Sequence, residues 1–386
     1  MLFDNTKRAF SLKSNYDLKK ALIIFKLISN KRLVNLGSRI VNLLNNLNLS
    51  VNFLFKETIF KQFCAGINKK ETLDIVEMLS KVNIYSYVHY ASENIKTEED
   101  LDMSLKQTLL SFDFSRSNKN ISFVVFKPTS LGFSEIYEKH SLNKVLTSKE
   151  KESLAKIEHR FKVCCERARK LKVKLLIDAE ESWIQHSIDV LTEKLMEKYN
   201  KKNVIVYTTI QMYRKDRFDY LVNLHKKALK RNFKIGVKLV RGAYIEKELN
   251  RSKLLGYENP IYSTKEETDK SFNNAVNFIL KRLQNFSIFL ATHNEKSIYN
   301  VIEFMKKNNI SKKNEIYFSQ LYGMGDNITF NLAHLNYKVV KYLPYGPIKD
   351  VIPYLIRRAE ENSSVSGQTS REMDLIKKER KRRKVN

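Results

Sequence analysis

Two rhythms of apolar residues divide the chain. Up to about residue 80 they recur at helical spacing: Leu22, Ile23, Phe25 and Leu27, then Leu33, Leu36, Ile40, Leu43, Leu44 and Leu47, with Val51–Phe63 continuing the habit. Residues three and four apart share a helix face, so this region reads as amphipathic helices packed on something larger, with one face available to a membrane. From about residue 82 short apolar runs alternate with longer polar stretches. The runs are Val82–Tyr90, Ile121–Lys127, Lys174–Asp178, Val204–Gln211, Ile235–Val240, Phe286–Thr292, Ile316–Gln320 and Val339–Leu343. Between them Glu152–Leu171, Trp183–Tyr199, Arg217–Arg231 and Lys265–Leu283 carry helical patterns. Eight strands each followed by a helix predict an α/β fold, a (βα)8 TIM barrel closed by right-handed crossovers. A doubly wound open sheet is the alternative, but no G-x-G-x-x-G follows any strand. The expected organisation is an N-terminal helical segment over 1–80, the barrel over 81–366 and a basic C-terminal tail over 367–386.

The stretch Tyr342–Ser364 closes this pattern. A strand ending near Leu343 meets Pro344-Tyr345-Gly346-Pro347, a turn expected to stop the sheet. A helix follows, with Asp350 as expected N-cap and Pro353 in the first turn. Ile348, Val351, Ile352, Leu355, Ile356 and Ala359 form its apolar stripe, and Tyr354, Arg357, Arg358 and Glu361 share the opposite arc. Adjacent arginines with a carboxylate three and four residues on fit either a solvated face with i,i+4 pairing or an anion clamp of two planar forks. Spacing alone leaves both open.

Composition narrows the classes. Lys plus Arg 70 against Asp plus Glu 42 gives a formal charge of +28. The lysines are scattered through the chain instead of forming a stripe, so nucleic acid is not the expected partner. Lys377–Lys384 is the one basic block, expected as a frayed helix or tail. No run approaches the roughly 18 uninterrupted apolar residues of a membrane span. Met1–Ser14 carries Asp4 and lacks a secretory apolar core, and no mitochondrial presequence stands out. Cys64, Cys164 and Cys165 have neither metal nor disulfide spacing and read as reduced and buried, in a cytoplasmic protein.

In a barrel, chemistry collects where strands end, and here those ends are polar. They read Lys127-Pro128-Thr129, Asp178-Ala179-Glu180, Gln211, Lys238-Leu239-Val240-Arg241-Gly242-Ala243-Tyr244, Ala291-Thr292-His293-Asn294 and Gln320-Leu321-Tyr322-Gly323-Met324-Gly325. Taken singly, Asp178 reads as a helix cap, Gln211 as a satisfied core amide and His293 as structural. Their joint placement at equivalent positions argues for a site.

These motifs, in this order, resemble the proline dehydrogenase family: KLVRGAY at Lys238–Tyr244, Asp178–Glu180, ATHN at Ala291–Asn294, QLYGMG at Gln320–Gly325, and the paired arginines before Glu-Asn in Tyr342–Asn362. The likeness covers about residues 55 to 366, with Glu57–Gly66 similar to the family's lead-in. It implies a flavin-dependent barrel enzyme that oxidises L-proline to Δ1-pyrroline-5-carboxylate, passing a hydride to N5 of FAD and electrons on to a quinone. By this resemblance Arg357, Arg358 and Lys127 would hold the proline carboxylate, which requires the last helix to lie over the barrel mouth. Tyr342 and Tyr354 would line the ring, Tyr342 being the wall that excludes a ring hydroxyl. Asp178 would pair with Lys127, and Lys238 would be the cation beside the flavin, these two forming the catalytic pair of residues. Leu176, Gln211, Arg241, Gly242, Ala243, Tyr244, Thr292, His293, Gln320 and Glu361 would contact FAD, and Thr264–Asp269 would lie near the adenosine end. No metal is implied.

Three departures accompany the likeness. His89, in Ser86–Glu93, replaces an acid, Ile245 replaces an aromatic residue of some relatives, and lysine and arginine are exchanged at 238 and 241. The chain is too short for an added aldehyde dehydrogenase domain, so a separate pyrroline-5-carboxylate dehydrogenase is expected. Peripheral contact with the inner face of a membrane, on the matrix side in a mitochondrion, would suit the basic N-terminal helices. The competing readings are a hydroxyproline dehydrogenase of the same fold and a non-catalytic basic barrel binding nucleic acid or membrane.

Overall fold

The computed structural model describes residues 2–30, 32–34, 56–91, 95–364 and 368–384. Leu36, Ile40, Leu43, Leu44, Leu47, the first part of Val51–Phe63, and Ser92 and Glu93 of the Ser86–Glu93 segment lie outside the described residues.

Helices α1 (Thr6–Ala9), α2 (Asn15–Ile28) and α3 (Lys69–Ser80) precede β1 (Ile84–Tyr90). Then come α4 (Glu98–Ser117), β2 (Ile121–Phe126), α5 (Ser134–Ser141), α6 (Ser148–Leu171), β3 (Lys174–Ile177), α7 (Ser182–Tyr199), β4 (Val206–Gln211), α8 (Arg217–Arg231) and β5 (Ile235–Val240). The chain continues through α9 (Ile245–Leu255), α10 (Lys265–Leu280), β6 (Phe286–Ala291), α11 (Glu295–Lys307), β7 (Ile316–Leu321), α12 (Asp326–His334), β8 (Lys338–Tyr345), α13 (Ile348–Ser364) and α14 (Gln368–Arg382). The eight strands follow one another in chain order and close into a barrel, which excludes the open doubly wound sheet. No described helix is long and apolar enough to cross a membrane. Contacts divide the chain into two units, residues 1–94 with 320–386, and residues 95–319.

In the second unit β2 to β6 pair in parallel with their neighbours, and β6 pairs with β7. Alternate residues on a strand point to opposite faces. One face of these strands meets in an aromatic layer in which the Phe123 ring lies 4.8 Å from Phe289, 4.9 Å from Tyr317 and 5.5 Å from Tyr207. Because Phe123 and Phe289 stand on non-adjacent strands, this face is the barrel interior. Lys174 enters the same layer, pairs with Glu315 and lies 5.0 Å from the Tyr317 ring centre. Several of the helices start at side-chain caps. Thr97 with Asp100, Thr147 with Glu150 and Thr264 with Glu267 are reciprocal capping boxes. The Thr147 box starts α6 at Ser148, four residues before the apolar pattern alone suggests. Cys64, in the first unit, and Cys164 and Cys165, in the second, are free and buried, and burial pushes all three thiols up.

In the first unit β1 pairs in parallel with β8 from Ile84 opposite Val339 to Tyr90 opposite Tyr345. Pro344 therefore lies inside the strand and does not end it. A proline lacks only the donor; its carbonyl still accepts from Ala65 N–H at 2.8 Å, and the Tyr345 carbonyl accepts from Ala91 at 3.0 Å. The chain leaves the sheet at Gly346. Helix α13 begins at Ile348, so Asp350 is its third residue instead of its N-cap, and its carboxylate accepts the Tyr90 hydroxyl at 3.1 Å. Pro353 is then interior, in the second turn, where it removes the bond to the Lys349 carbonyl. The expected stripe is buried at Ile348, Val351, Ile352, Leu355 and Ala359, with Ile356 half-buried.

The ends of the chain meet within this unit. On α2 the buried face is Leu18, Ala21, Ile24, Phe25 and Ile28, whereas Ile23 and Leu27 are exposed. A run that is apolar on consecutive residues cannot reveal by period which side packs. The basic block is no frayed tail: it lies largely in α14, where the fully buried Glu379 carboxylate binds Arg382 and Arg383. Arg383 in turn donates to the carbonyls of Phe10 and Lys13. Those pairs lower the carboxyl of Glu379 to about 2 against the opposing effect of its burial.

Removal of the Phe123 ring tests the interior layer. Phe123→Ala is expected to cost about 3–5 kcal/mol in denaturant unfolding, as for other buried aromatic truncations. A cost below about 1 kcal/mol would show that the layer is not a packed core.

Candidate active site

The polar residues at the strand ends of the second unit are joined to one another. Asp178 follows β3 and its backbone N–H donates to Phe126 at the end of β2, 3.1 Å. Its carboxylate accepts the Lys238 ammonium at 2.6 Å, and the two side chains are 20% and 8% exposed. The family resemblance implies a pairing of Asp178 with Lys127; Lys238 is a further partner that it does not supply. Thr209 on the intervening β4, level with Lys238 in register, donates to the same carboxylate at 3.5 Å. Lys127 itself is half-buried at the start of the Pro128–Ser130 turn, and its carbonyl accepts from the Ser130 N–H and hydroxyl. Leu176 is fully buried, level with Val125 and Tyr207.

Glu180, quoted above only as part of a motif, holds two loops. Its carboxylate accepts the backbone N–H and the hydroxyl of Thr129, at 2.7 and 2.8 Å. Its carbonyl accepts Gln211 Nε2 at 2.7 Å, and Gln211 Oε1 accepts the Ala243 N–H at 3.2 Å. Gln211 is thus a satisfied core amide that stitches the loop after β3 to the loop after β5. Burial raises the Glu180 carboxyl to about 7, with Lys127 opposing that shift and Glu181 adding to it.

Arg241 is held in place by protein partners. Its guanidinium donates to Asp269 at 2.5 Å, Thr292 Oγ1 at 2.7 Å and Ser297 at 2.9 Å, and lies 4.4 Å from the Phe272 ring centre. Burial pulls it below its ordinary value, against the pull of Asp269. Thr292 also accepts from Asn294 N–H at 3.1 Å. Thr264 and Glu267, expected near an adenosine, cap α10, and Asp269 is the acid on Arg241. Gly242 has φ +146°, and a Cβ there would overlap the Tyr213 ring. That ring and the backbone conformation supply a reason for the glycine independent of any cofactor. Tyr244 is buried with the Lys247 ammonium 5.3 Å from its ring, His293 is half-buried, and Ile245 is exposed.

The expected residues of the first unit form a second cluster. Tyr342 is buried on β8, its ring 4.9 Å from Tyr87, which is level with it on β1, and 6.0 Å from Tyr354 on α13. The Arg358 guanidinium lies 5.3 Å from the Tyr354 ring centre, so helix α13 brings Tyr354 to the tyrosine of β8 and stacks Arg358 on Tyr354. Arg357 and Arg358 are half-buried, which sets aside a fully solvated face. The side chain of Glu361 lies outside the described residues. The hydroxyl of Tyr342 meets His89 Nδ1 at 2.6 Å; sequence reasoning saw His89 only as a departure. Gln320 is buried and accepts from Thr329 at 2.8 Å. The following loop is clamped by the buried Lys341, which donates to the carbonyls of Leu321 and Met324 and pairs with Asp326 at 2.8 Å. Glu372 of α14 accepts the Gly325 N–H at 2.6 Å.

A family model described as "Proline dehydrogenase" matches residues 72–371. The chain is 35% identical to the carbapenem antibiotics biosynthesis protein CarD of Pectobacterium carotovorum subsp. carotovorum, over 84% of each protein. It is 33% identical to "Proline dehydrogenase 1, mitochondrial" of Dictyostelium discoideum, over 98% of this chain and 74% of that one. Among solved structures, proline utilization A (PutA) from Bdellovibrio bacteriovorus inactivated by N-propargylglycine matches with a TM-score of 0.72 and 21% identity. That match covers 80% of this chain, which spans about a third (33%) of the PutA chain, and it speaks to the fold.

The raised carboxyl of Glu180 gives a stability signature. Its folded value of about 7 lies above the ordinary 4.5, so its contribution is full below pH 4.5 and is lost as pH rises through 7. Glu180→Gln is expected to gain on wild type by up to about 3 kcal/mol between about pH 4.5 and pH 8 in denaturant melts. A stability difference that does not change with pH would place the Glu180 carboxyl in the ordinary range.

Proposed function

The chain belongs to the proline dehydrogenase family, and on that premise we propose that it oxidises L-proline to Δ1-pyrroline-5-carboxylate with FAD as its redox group. The observation that carries the reading is the Lys238–Asp178 pair, a buried ammonium held at the ends of β5 and β3 beside the donors of the neighbouring loops. The donor set fits an anionic dinucleotide. It combines a buried ammonium at Lys238, a guanidinium at Arg241, the hydroxyl of Thr292 and the imidazole of His293, with Leu176 as apolar wall. FAD, when bound, supplies the hydride acceptor at N5, so the ring C–N bond of proline becomes C=N as a hydride and a proton leave.

The chain's own residues do the rest. Lys238 sets a positive charge where negative charge develops, and Asp178 with Thr209 keeps that ammonium in place. Arg357, Arg358 and Lys127 hold the substrate carboxylate, and a carboxylate gripped by planar forks fixes which ring carbon is presented. Tyr342 and Tyr354 wall the ring, with Tyr342 leaving no room for a ring hydroxyl, which favours proline over hydroxyproline. Gln211, Arg241, Gly242, Ala243, Tyr244, Thr292, His293, Gln320 and Glu361 complete the cofactor set. A quinone takes the electrons onward, and a separate pyrroline-5-carboxylate dehydrogenase takes the product. Peripheral contact of the basic N-terminal helices with an anionic membrane surface would bring the enzyme to a membrane quinone.

Steady-state oxidation of L-proline with a quinone acceptor tests this reading. Arg357→Ala and Arg358→Ala are each expected to raise KM for proline by about 100-fold or more while the protein keeps its flavin, since truncating one partner of a desolvated charge pair costs about 2–5 kcal/mol. Unchanged saturation by proline would remove both arginines from the carboxylate site.

A further inference from the structure

His89, and its bond to Tyr342, has no part in the machinery above. His89 is only 7% exposed, and its Nδ1 stands 2.6 Å from the Tyr342 hydroxyl, at the short end for a hydrogen bond. The residues come from adjacent parallel strands. His89 and Tyr87 lie two apart on β1 and share a face, and Tyr87 is level with Tyr342 on β8. Lys341, the preceding residue on β8, points the other way to Asp326, so Tyr342 belongs to the interior face. Rings packed on the phenol include Tyr87 at 4.9 Å, His89 at 5.9 Å and Tyr354 at 6.0 Å. Packing fixes the ring and His89 fixes the hydroxyl.

A buried phenol must place its hydroxyl somewhere, because leaving it unpaired is costly. Whether Nδ1 donates to the phenol oxygen or accepts from the phenol O–H, the hydroxyl is engaged within the protein. A ring hydroxyl brought beside Tyr342 would then have to compete with His89 for that phenol. We propose that His89 is a specificity-determining positioning residue: by engaging the Tyr342 hydroxyl it denies a hydroxylated ring both room and a hydrogen-bond partner. This rests on the reading of Tyr342 as the wall beside the proline ring. A carboxylate could engage a phenol only by accepting from it; histidine does so in either sense. The departure at position 89 therefore keeps the hydroxyl occupied by different chemistry.

The test compares wild type, His89→Phe, Tyr342→Phe and the double variant in kcat/KM for L-proline and for trans-4-hydroxy-L-proline, with flavin content measured for each. His89→Phe is expected to lower the proline-to-hydroxyproline ratio about tenfold, because the freed hydroxyl becomes a partner for the ring hydroxyl. In the Tyr342→Phe background the same change is expected to alter the ratio less than about twofold, since no hydroxyl remains to engage. His89→Asn, which retains a polar atom at this reach, is expected to recover most of the lost ratio, and His89→Leu reads the same comparison if the phenylalanine variant does not fold. A ratio within about twofold of wild type in His89→Phe, or effects of the two substitutions that simply add, would overturn the proposal while the proline reading stands. A wild type that oxidises neither imino acid would overturn both.

Discussion

A buried ammonium survives only if a carboxylate accompanies it, and the site is arranged around that constraint. Removing Lys238 from water costs several kcal/mol unless its charge is met at close range. Asp178 meets it at 2.6 Å, and Thr209, on the strand between them, donates to the same carboxylate. Three consecutive strands thereby share one charge cluster whose geometry is set by sheet register. Such a cluster is as stiff as the barrel itself, which is what a preorganised electrostatic site requires.

The same logic extends outward from strand to loop. Gln211 joins the loop after β3 to the loop after β5, and Arg241 joins the end of β5 to α10, β6 and α11. In the first unit, the two-residue period of β8 lets neighbouring residues serve opposite faces. Lys341 grips the loop that follows β7 from outside, while Tyr342 packs with Tyr87, His89 and Tyr354 inside. Glu372, on a helix that follows the barrel, donates no chemistry of its own but accepts from Gly325 and so helps shape that loop.

The strands were legible because each is a short apolar run bounded by polar residues, a local signal that long-range packing did not overturn. The strand-end motifs were legible because a parallel barrel collects its strand ends, so position along the chain translates into position in space. What failed were decisions that depend on partners. Pro344 looks like a stop until the strand is seen to run past it beside β1, with its carbonyl accepting from Ala65. Asp350 looks like a cap until Pro347 is seen to accept the first bonds of α13. The acid on Arg241 was not foreseen, because its pairing with Asp269, twenty-eight residues on, has no spacing signature. The basic terminus looked solvated because Glu379, which organises it, is one acid among many bases. His89 is the sharpest instance: an odd residue in a familiar motif gains a meaning only beside Tyr342.

The central claim is that the Lys238 charge, held by Asp178, favours reduction of a flavin bound at these strand ends. The most direct measurement is the midpoint potential of the flavin in purified wild type and in Lys238→Met. A flavoprotein whose potential falls when the ammonium is removed is the predicted result; a protein that takes up no flavin, or a potential indifferent to the substitution, would contradict it.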